Sequence, residues 1–156
     1  GAAMGAGVGR ATEEWVTWLP GDGQIEPHAI KEMSALAGQC DLIMLMREEA
    51  RRDLDRRVIT LGMYGLMRLL LGFDPYGFSG VFMARRSLLA GLALKSSTGV
   101  QNYAVVMHGR RQGARVAQVR TVIQPRRSGR SKVANARTTL TVLVDILKLR
   151  LTRGRG

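Results

Sequence analysis

Two short apolar runs with a helical segment between them constrain the fold of this chain more than any other feature. The first run covers residues 15–19 and stops at Pro20, and the second covers residues 41–46. Between them, Pro27 suits the first turn of a helix that continues over residues 28–36. Two buried strands joined by a helix form a βαβ unit, whose strands point the same way. The sequence therefore predicts an α/β fold with a mostly parallel sheet flanked by helices.

The rest of the chain continues this alternation of helical and extended patterns. Residues 58–71 are almost entirely apolar, but they are too few to cross a bilayer, which needs ~20 residues. We therefore expect a buried helix there, or one that lies at an interface. The other patterns predict, in chain order, a helix in 2–12, a loop in 73–80, a strand in 81–84, helices in 85–92 and 101–111, an edge strand in 114–124 and an amphipathic helix in 133–151.

The net positive charge lies in the second half of the chain. Residues 101–156 hold thirteen Lys or Arg residues and one acid, Asp145, so they account for the whole net charge of +12. Such a segment suits an anionic partner, namely a nucleic acid, a nucleotide or an anionic membrane surface. Cys40 is the only cysteine. It excludes an internal disulfide and favours a reducing compartment.

A carboxylate and an amide follow the first apolar run. Asp22 and Gln24 stand in the stretch Pro-Gly-Asp-Gly-Gln, directly after residues 15–19. Open α/β sheets bind ligands beyond the carboxyl ends of their strands. Oxygen ligands of this kind suit a hard divalent cation that accompanies a diphosphate. Two interpretations of the stretch follow, a metal–diphosphate site or an ordinary Gly-Asp-Gly turn.

Later segments carry further polar groups, and their order is informative. Arg47 follows the second apolar run, and a mixed-charge segment over 47–57 leads into the apolar residues 58–71. An Asp-x-x-Gly-x-Ser-Gly loop begins at Asp74 and precedes Arg-Arg, and a late Arg-Ser-Gly-Arg-Ser-Lys loop ends at Lys132. Together with the Asp-Gly-Gln stretch, this order resembles the family 2 glycosyltransferases, in particular those similar to dolichyl-phosphate mannose synthase that use polyprenyl-phosphate acceptors.

The resemblance implies a GT-A-like, Rossmann-like fold and covers residues 1–151. It matches only the part of the family domain that follows the first strands, so we expect the domain to be truncated at its N-terminus. The glycosyltransferase-like domain would span residues 1–132. An amphipathic helix with a basic tail would form residues 133–156.

The resemblance also assigns the donor side of the site. Asp22 matches the second acid of the family's Asp-x-Asp-Gly-Gln motif and Gln24 its last residue, which makes them the candidate ligands of Mg²⁺ or Mn²⁺. Pro20 stands where the first acid of the motif usually is. The late basic loop would bind the donor diphosphate through Arg126, Arg127, Arg130, Ser131 and Lys132.

The acceptor side is assigned in the same way. Three residues would bind the acceptor phosphate: Arg47, Arg56 and Thr60. The last two lie four positions apart and therefore share one helix face. Asp74 matches the acid near the acceptor and is the candidate catalytic residue. Ser79 and Gly80 would line the sugar pocket. Surface pairing with nearby acids is the alternative interpretation of the arginines.

The resulting hypothesis is a glycosyltransferase that moves a sugar from a nucleotide-sugar donor to an acceptor, expected to be a polyprenyl phosphate, by metal-assisted inverting displacement. The protein would be cytoplasmic and would lie peripherally on an anionic membrane surface. Two alternatives are compatible with the same residues. One is a basic nucleic-acid-binding module, although no nucleic-acid motif is present. The other is a non-catalytic remnant of the same fold, which Pro20 favours.

Overall fold

The part of the chain that the computed structural model describes comprises residues 2–48, 65–90, 92, 100–124 and 144–147. Within it, four strands form one sheet: β1 (Trp15–Trp18), β2 (Leu42–Arg47), β3 (Phe78–Arg85) and β4 (Val116–Thr121). The helices are α1 (Ala2–Arg10), α2 (Pro27–Ala35), α3 (described over 65–71), α4 (Arg86–Leu89) and α5 (Val100–Arg111). The predicted α/β class is therefore confirmed.

The order of these four strands is β1-β3-β2-β4, and β3 runs against the other three. It pairs antiparallel with β1 and β2, whereas β2 and β4 are parallel. The strands of the predicted βαβ unit, β1 and β2, thus point the same way but are not neighbours. β3 occupies the position between them because both of its faces are apolar. Val81 and Phe82, which point to opposite faces, are each 0% exposed.

Two apolar layers cover the two faces of the sheet. On one face, Met44 and Phe82 belong to a buried cluster that includes Val106 of α5. On the other face, Ile43 belongs to a cluster that includes Met33 of α2. Alternate residues of a strand point to opposite faces, so residues 43 and 44 enter different layers. The second apolar run is continuous rather than alternating because helices bury both of its faces.

The strand after the predicted loop begins earlier than the sequence indicates. β3 starts at Phe78, inside the predicted loop, so Ser79 and Gly80 are strand residues. Phe78 opposes Met46 of β2, which extends the pairing toward the loop. Gly77 makes the turn into the strand with a φ of 76°, in the left-handed region that glycine adopts without strain.

The remaining predicted elements differ mainly in length. The helix predicted over 85–92 ends at Leu89, because Ala90 is already extended with a ψ of 132°. β4 is an edge strand, as predicted, but shorter. Of the helix predicted over 133–151, only residues 144–147 are described, and they are helical. The proposed domain boundary at residue 132 lies outside the described residues. No helix in the described part has the length and apolar character of a membrane span.

A carboxylate just before β2 joins three segments at the amino end of that strand. Asp41 accepts hydrogen bonds from the backbone N–H of Arg115 at 3.0 Å and from its Nε at 3.2 Å. Nε of Arg85 donates to the same carboxylate at 3.2 Å. Arg85 also pairs with Glu14 and lies 5.0 Å from the centre of a Trp15 ring. Hydrogen bonds from the side chain and the backbone of Arg115 hold the pKa of Asp41 below its ordinary value.

Candidate functional site

The candidate site lies at the edge of the sheet where β1, β2 and β4 end and β3 begins. The strand pairings place these four ends at one edge. The backbone N–H of Arg47 donates to the carbonyl of Gly77 at 2.6 Å. The N–H of Glu48 donates to the carbonyl of Thr121 at 2.8 Å. The segments after β2 and β4 and the segment before β3 are therefore joined directly at this carboxyl edge.

Asp22 lies in a tight turn beyond the end of β1. Its Oδ1 accepts the backbone N–H of Gln24 at 3.3 Å, and Gly23 between them has a φ of 69°. A carboxylate that bonds to the backbone two residues later is typical of an Asx turn. The predicted turn is thus present, and it holds the Asp22 carboxylate half-buried in the loop that leaves the carboxyl edge. The metal role of Asp22 stays a prediction.

Gln24 joins this loop to the segment after β4. Its Nε2 donates to the carbonyl of Gln124 at 3.0 Å, and the N–H of Gln124 donates to the carbonyl of Gln24 at 3.0 Å. Nε2 of Gln124 also donates to Oε1 of Glu26 at 2.8 Å. Gln124 is the last described residue before the basic loop. Five predicted diphosphate ligands follow it and lie outside the described residues: Arg126, Arg127, Arg130, Ser131 and Lys132.

Of the three residues predicted to bind the acceptor phosphate, the structure describes only one. Arg47 is the last residue of β2, and its side chain is exposed at the carboxyl edge. Across the described ranges, no ion pair or hydrogen bond engages its guanidinium group. Its charge is therefore available to an anion at this edge. Arg56 and Thr60 lie outside the described residues.

The two residues predicted for the sugar pocket point to opposite faces of β3. The Oγ of Ser79 donates to the carbonyl of Leu45 at 2.7 Å and accepts the N–H of Val81 at 3.2 Å. These bonds commit the Ser79 hydroxyl to the sheet. Gly80 faces α5, because consecutive strand residues alternate between faces. The structure therefore does not bring the two residues to one surface.

Asn102, which the sequence analysis missed, lies beside Gly80. Gly80 has a φ of 85°, and a Cβ there would approach Nδ2 of Asn102 to 3.1 Å. Oδ1 of Asn102 is buried and has no hydrogen-bond partner within the described ranges. A buried amide oxygen normally has a partner, so this atom can accept a hydrogen bond from water or a ligand hydroxyl. The only sequence signal was a polar residue near the start of a predicted helix.

Asp74 lies in the loop before β3 and lines a cavity on the α5 side of the sheet. Its Oδ1 accepts the backbone N–H of Tyr76 at 2.9 Å. The cavity is open, has a volume of about 770 Å³ and lies between α3, the last turn of α5 and the middle of β2 and β4. Among the described lining residues there is no Asp22, Gln24 or Arg47. This cavity therefore does not join Asp74 to the candidate metal ligands among its described lining residues, and the catalytic role of Asp74 stays a prediction.

A divalent cation at the carboxyl edge would find the candidate ligand Asp22 in the loop after β1, where the other carboxylate, that of Glu26, accepts a hydrogen bond from Nε2 of Gln124. Among the residues described, no group of three or more His, Cys, Asp or Glu side chains is placed to hold a metal. One carboxylate suits a cation such as Mg²⁺, which keeps waters and binds substrate phosphates as further ligands. Gln24 directs its Nε2 to Gln124, so coordination through its Oε1 stays a prediction.

The chain is similar in fold to two solved structures of glucosyl-3-phosphoglycerate synthase from Mycobacterium tuberculosis. One is a complex with Mn²⁺, UDP-glucose and phosphoglyceric acid, and it matches with a TM-score of 0.68 at 18% identity. The other is a complex with UDP and matches with a TM-score of 0.65 at 18% identity. Each match covers 95% of this chain and 53% of the other, so this chain spans about half the length of that protein.

At this level of identity the likeness shows the fold alone. The predicted GT-A-like fold is confirmed. The sequence predicted a mostly parallel sheet flanked by helices, and the four described strands form a mixed sheet in which β3 runs against the other three. No family model and no curated protein sequence matches the chain.

Proposed function

We propose that this chain forms part of a glycosyltransferase that uses a nucleotide-sugar donor. One observation carries the proposal: Gln24 and Gln124 join the loop of Asp22 to the segment that enters the basic loop of residues 126–132. A carboxylate for a cation and a cluster of guanidinium groups are what a metal-bound diphosphate requires. The likeness to a synthase whose complex holds Mn²⁺ and UDP-glucose supports the same assignment.

In the proposed reaction, an acceptor oxygen bonds to the anomeric carbon while the bond from that carbon to the diphosphate oxygen breaks, with inversion. The leaving diphosphate keeps the electron pair and gains negative charge. A divalent cation, when bound, would supply a Lewis acid that offsets this charge. Asp22 and Gln24 would hold the cation. The diphosphate oxygens would bind to the hydrogen-bond donors of five late residues, namely Arg126, Arg127, Arg130, Ser131 and Lys132.

On the acceptor side, we assign the phosphate of a polyprenyl phosphate to Arg47, Arg56 and Thr60. The guanidinium of Arg47, which is exposed and has no ion pair among the described residues, supports this assignment. A phosphate acceptor is already ionised at neutral pH, so it needs little help from a general base. Asp74 would therefore orient the acceptor or the sugar rather than remove a proton. The sugar would lie beside Gly80 at the start of β3.

The proposed membrane surface would face α3 and the helical residues 144–147. Leu66 and Leu69 of α3 are 45% and 72% exposed, and Leu147 is 44% exposed. Exposed leucines beside a cation such as Arg68 are typical of helices that lie in the interface of an anionic bilayer. These exposures support the proposal of a peripheral association with the membrane, on the cytoplasmic side as the resemblance implies.

The experiment that tests the donor site is calorimetric titration of the chain with UDP-glucose, with and without Mn²⁺. We expect Mn²⁺-dependent binding that Asp22→Asn weakens by about tenfold or more, since one charged ligand is lost. Glu13→Gln is the matched control, because it removes an exposed carboxylate outside the carboxyl edge. Equal affinity in Asp22→Asn and the wild type would overturn the proposal, and so would the absence of Mn²⁺-dependent binding by the wild type.

A further inference from the structure

The open cavity on the α5 face contains cations that the proposed donor site does not use. Arg68 of α3 and Arg110 in the last turn of α5 both line it, and Gln118 of β4 adds a carboxamide. The cavity volume of about 770 Å³ lies within the range of small-molecule sites. A smaller groove of about 270 Å³ shares Arg110 and Gly72 with it.

The positive charge of this cavity is not neutralised by the surrounding described residues. Arg85 and Arg115 both pair with Asp41. By contrast, no ion pair or hydrogen bond engages the side chain of Arg68 or Arg110 within the parts of the chain that the structure describes. Among its described lining residues, the cavity therefore presents two guanidinium groups and one carboxylate, that of Asp74. A cleft with this imbalance and low-dielectric walls concentrates positive potential.

Both arginines extend from backbone that the core holds in place. Arg68 follows Met67, which is 5% exposed and belongs to the same core as α5. Arg110 follows Gly109, where a Cβ would come within 3.1 Å of a Leu42 methyl carbon, so α5 lies very close to the sheet there. Cations on anchored helices lose little further freedom when they bind a ligand.

The uncharged residues that line the cavity indicate which chemical groups an anionic ligand would carry beside its charge. Met44 and Phe73 are 2% and 7% exposed and, with Val116, give the cavity an apolar side. Gln118 adds a neutral group that can donate and accept hydrogen bonds. A phosphate group attached to a short carbon skeleton matches this combination, since guanidinium groups bind phosphate through two parallel hydrogen bonds.

We propose that this cavity binds the phosphate of a phosphate monoester through Arg68 and Arg110, at a site separate from the carboxyl edge. The inference does not depend on the proposed donor site, because none of the candidate metal or diphosphate ligands takes part, although Asp74, which is assigned above to the acceptor or the sugar, lines the same cavity. The monoester is either a small soluble molecule or the headgroup of a lipid, and the chemistry recognised is the same.

The test is calorimetric titration at low ionic strength, without metal or nucleotide sugar. Glycerol 3-phosphate is the soluble probe, and vesicles that contain a polyprenyl phosphate are the lipid probe. We expect saturable binding of at least one probe, weakened by about fivefold or more in Arg68→Gln and in Arg110→Gln. Arg10→Gln is the matched control, since Arg10 is an exposed arginine at the end of α1 that does not line the cavity.

Three outcomes would overturn the inference: no saturable binding of either probe, equal losses in all three variants, or unchanged affinity in Arg68→Gln and Arg110→Gln. Thermal unfolding of each variant accompanies the titration. A loss of affinity in a variant that unfolds at the wild-type temperature supports the site. Arg68→Lys keeps the charge but loses the bidentate geometry of the guanidinium group. An affinity of Arg68→Lys between those of Arg68→Gln and the wild type also supports the site. Mn²⁺-dependent UDP-glucose binding that persists when both probes fail would leave the proposed donor site intact, whereas the failure of the polyprenyl-phosphate vesicles would also count against the proposed acceptor.

Discussion

The amide nitrogen of Gln24 donates to the backbone carbonyl of Gln124 at 3.0 Å, and the N–H of Gln124 donates to the carbonyl of Gln24 at 3.0 Å. The two residues are 100 positions apart and follow β1 and β4, which are the outer strands of the described sheet. Two loops that leave opposite sides of the sheet therefore meet across its carboxyl edge. A ligand that orders one loop is expected to restrain the other.

Substitution of Gln24 tests whether this pair stabilises the fold. Gln24→Glu removes the amide donor and places a carboxylate against the carbonyl of Gln124. We expect the free energy of unfolding to fall by ~1–3 kcal/mol, because a part-buried acceptor loses its partner. Urea denaturation measures the loss, and amide hydrogen exchange at Gln124 should become faster.

The matched control for that variant is Gln39→Glu. Gln39 is exposed after α2, so the same change of charge should alter stability by less than ~0.5 kcal/mol. If the two variants lose equal stability, the loss comes from the added charge and not from the broken hydrogen bond between Gln24 and Gln124. The inferred coupling of the two loops would then be wrong.

Gly80→Ala tests the close approach of β3 to α5. An alanine at a φ of 85° is strained, and its Cβ would lie 3.1 Å from Nδ2 of Asn102. Strain alone destabilises by ~1–2 kcal/mol. Gly113→Ala is the control for strain, because Gly113 has a φ of 72° and open space around it. Thermal denaturation should show a larger loss for Gly80→Ala.

Gly80→Ala should lose more stability than Gly113→Ala. This additional loss should disappear when Asn102→Ala is combined with Gly80→Ala, because the contacting amide is then gone. A double variant that is no more stable than Gly80→Ala would contradict the contact between Gly80 and Asn102.

The carboxylate of Asp41 predicts a defined pH dependence of stability. Its pKa is lowered from 3.8 by hydrogen bonds from the side chain and backbone of Arg115. A group with a depressed folded-state pKa stabilises the fold above its ordinary value, and this contribution is lost as the pH falls through the folded pKa. Asp41→Asn should therefore unfold more easily than the wild type at neutral pH, and the difference should narrow below pH 3.8.

Thermal unfolding across this pH range measures the effect of Asp41→Asn. Glu13→Gln serves as control, because its exposed side chain ties no strands together. A difference between Asp41→Asn and the wild type that stays constant from neutral to acid pH would contradict the prediction.

The proposed association with a membrane predicts a role for the exposed face of α3. Leu69 is 72% exposed, and Leu69→Glu should weaken cosedimentation with phosphatidylserine-containing vesicles severalfold by adding a charge that must enter the interface. Val122→Glu provides the comparison, since Val122 is 57% exposed in the segment after β4. Equal vesicle binding by Leu69→Glu and the wild type would show that α3 does not face the bilayer.

Local patterns in the sequence predicted most of the described elements and the edge at which the candidate site lies. The apolar run ending at Met46 predicted a buried strand. The run before Pro20 also predicted a buried strand, and the strand is present, but it is half-buried at the edge of the described sheet. The Pro-Gly-Asp-Gly-Gln stretch predicted the turn that holds Asp22. These inferences succeeded because strand periodicity, proline and Asx turns act over a few neighbouring residues.

Contacts between distant segments were decided only by the tertiary structure. The insertion of β3 between β1 and β2, the bonds between Gln24 and Gln124, and the position of Asn102 over Gly80 all depend on which elements pack together. The cavity lined by Arg68, Arg110 and Asp74 also depends on which elements pack together. Such contacts follow from burying every apolar face at once, so no local stretch of the sequence determines them.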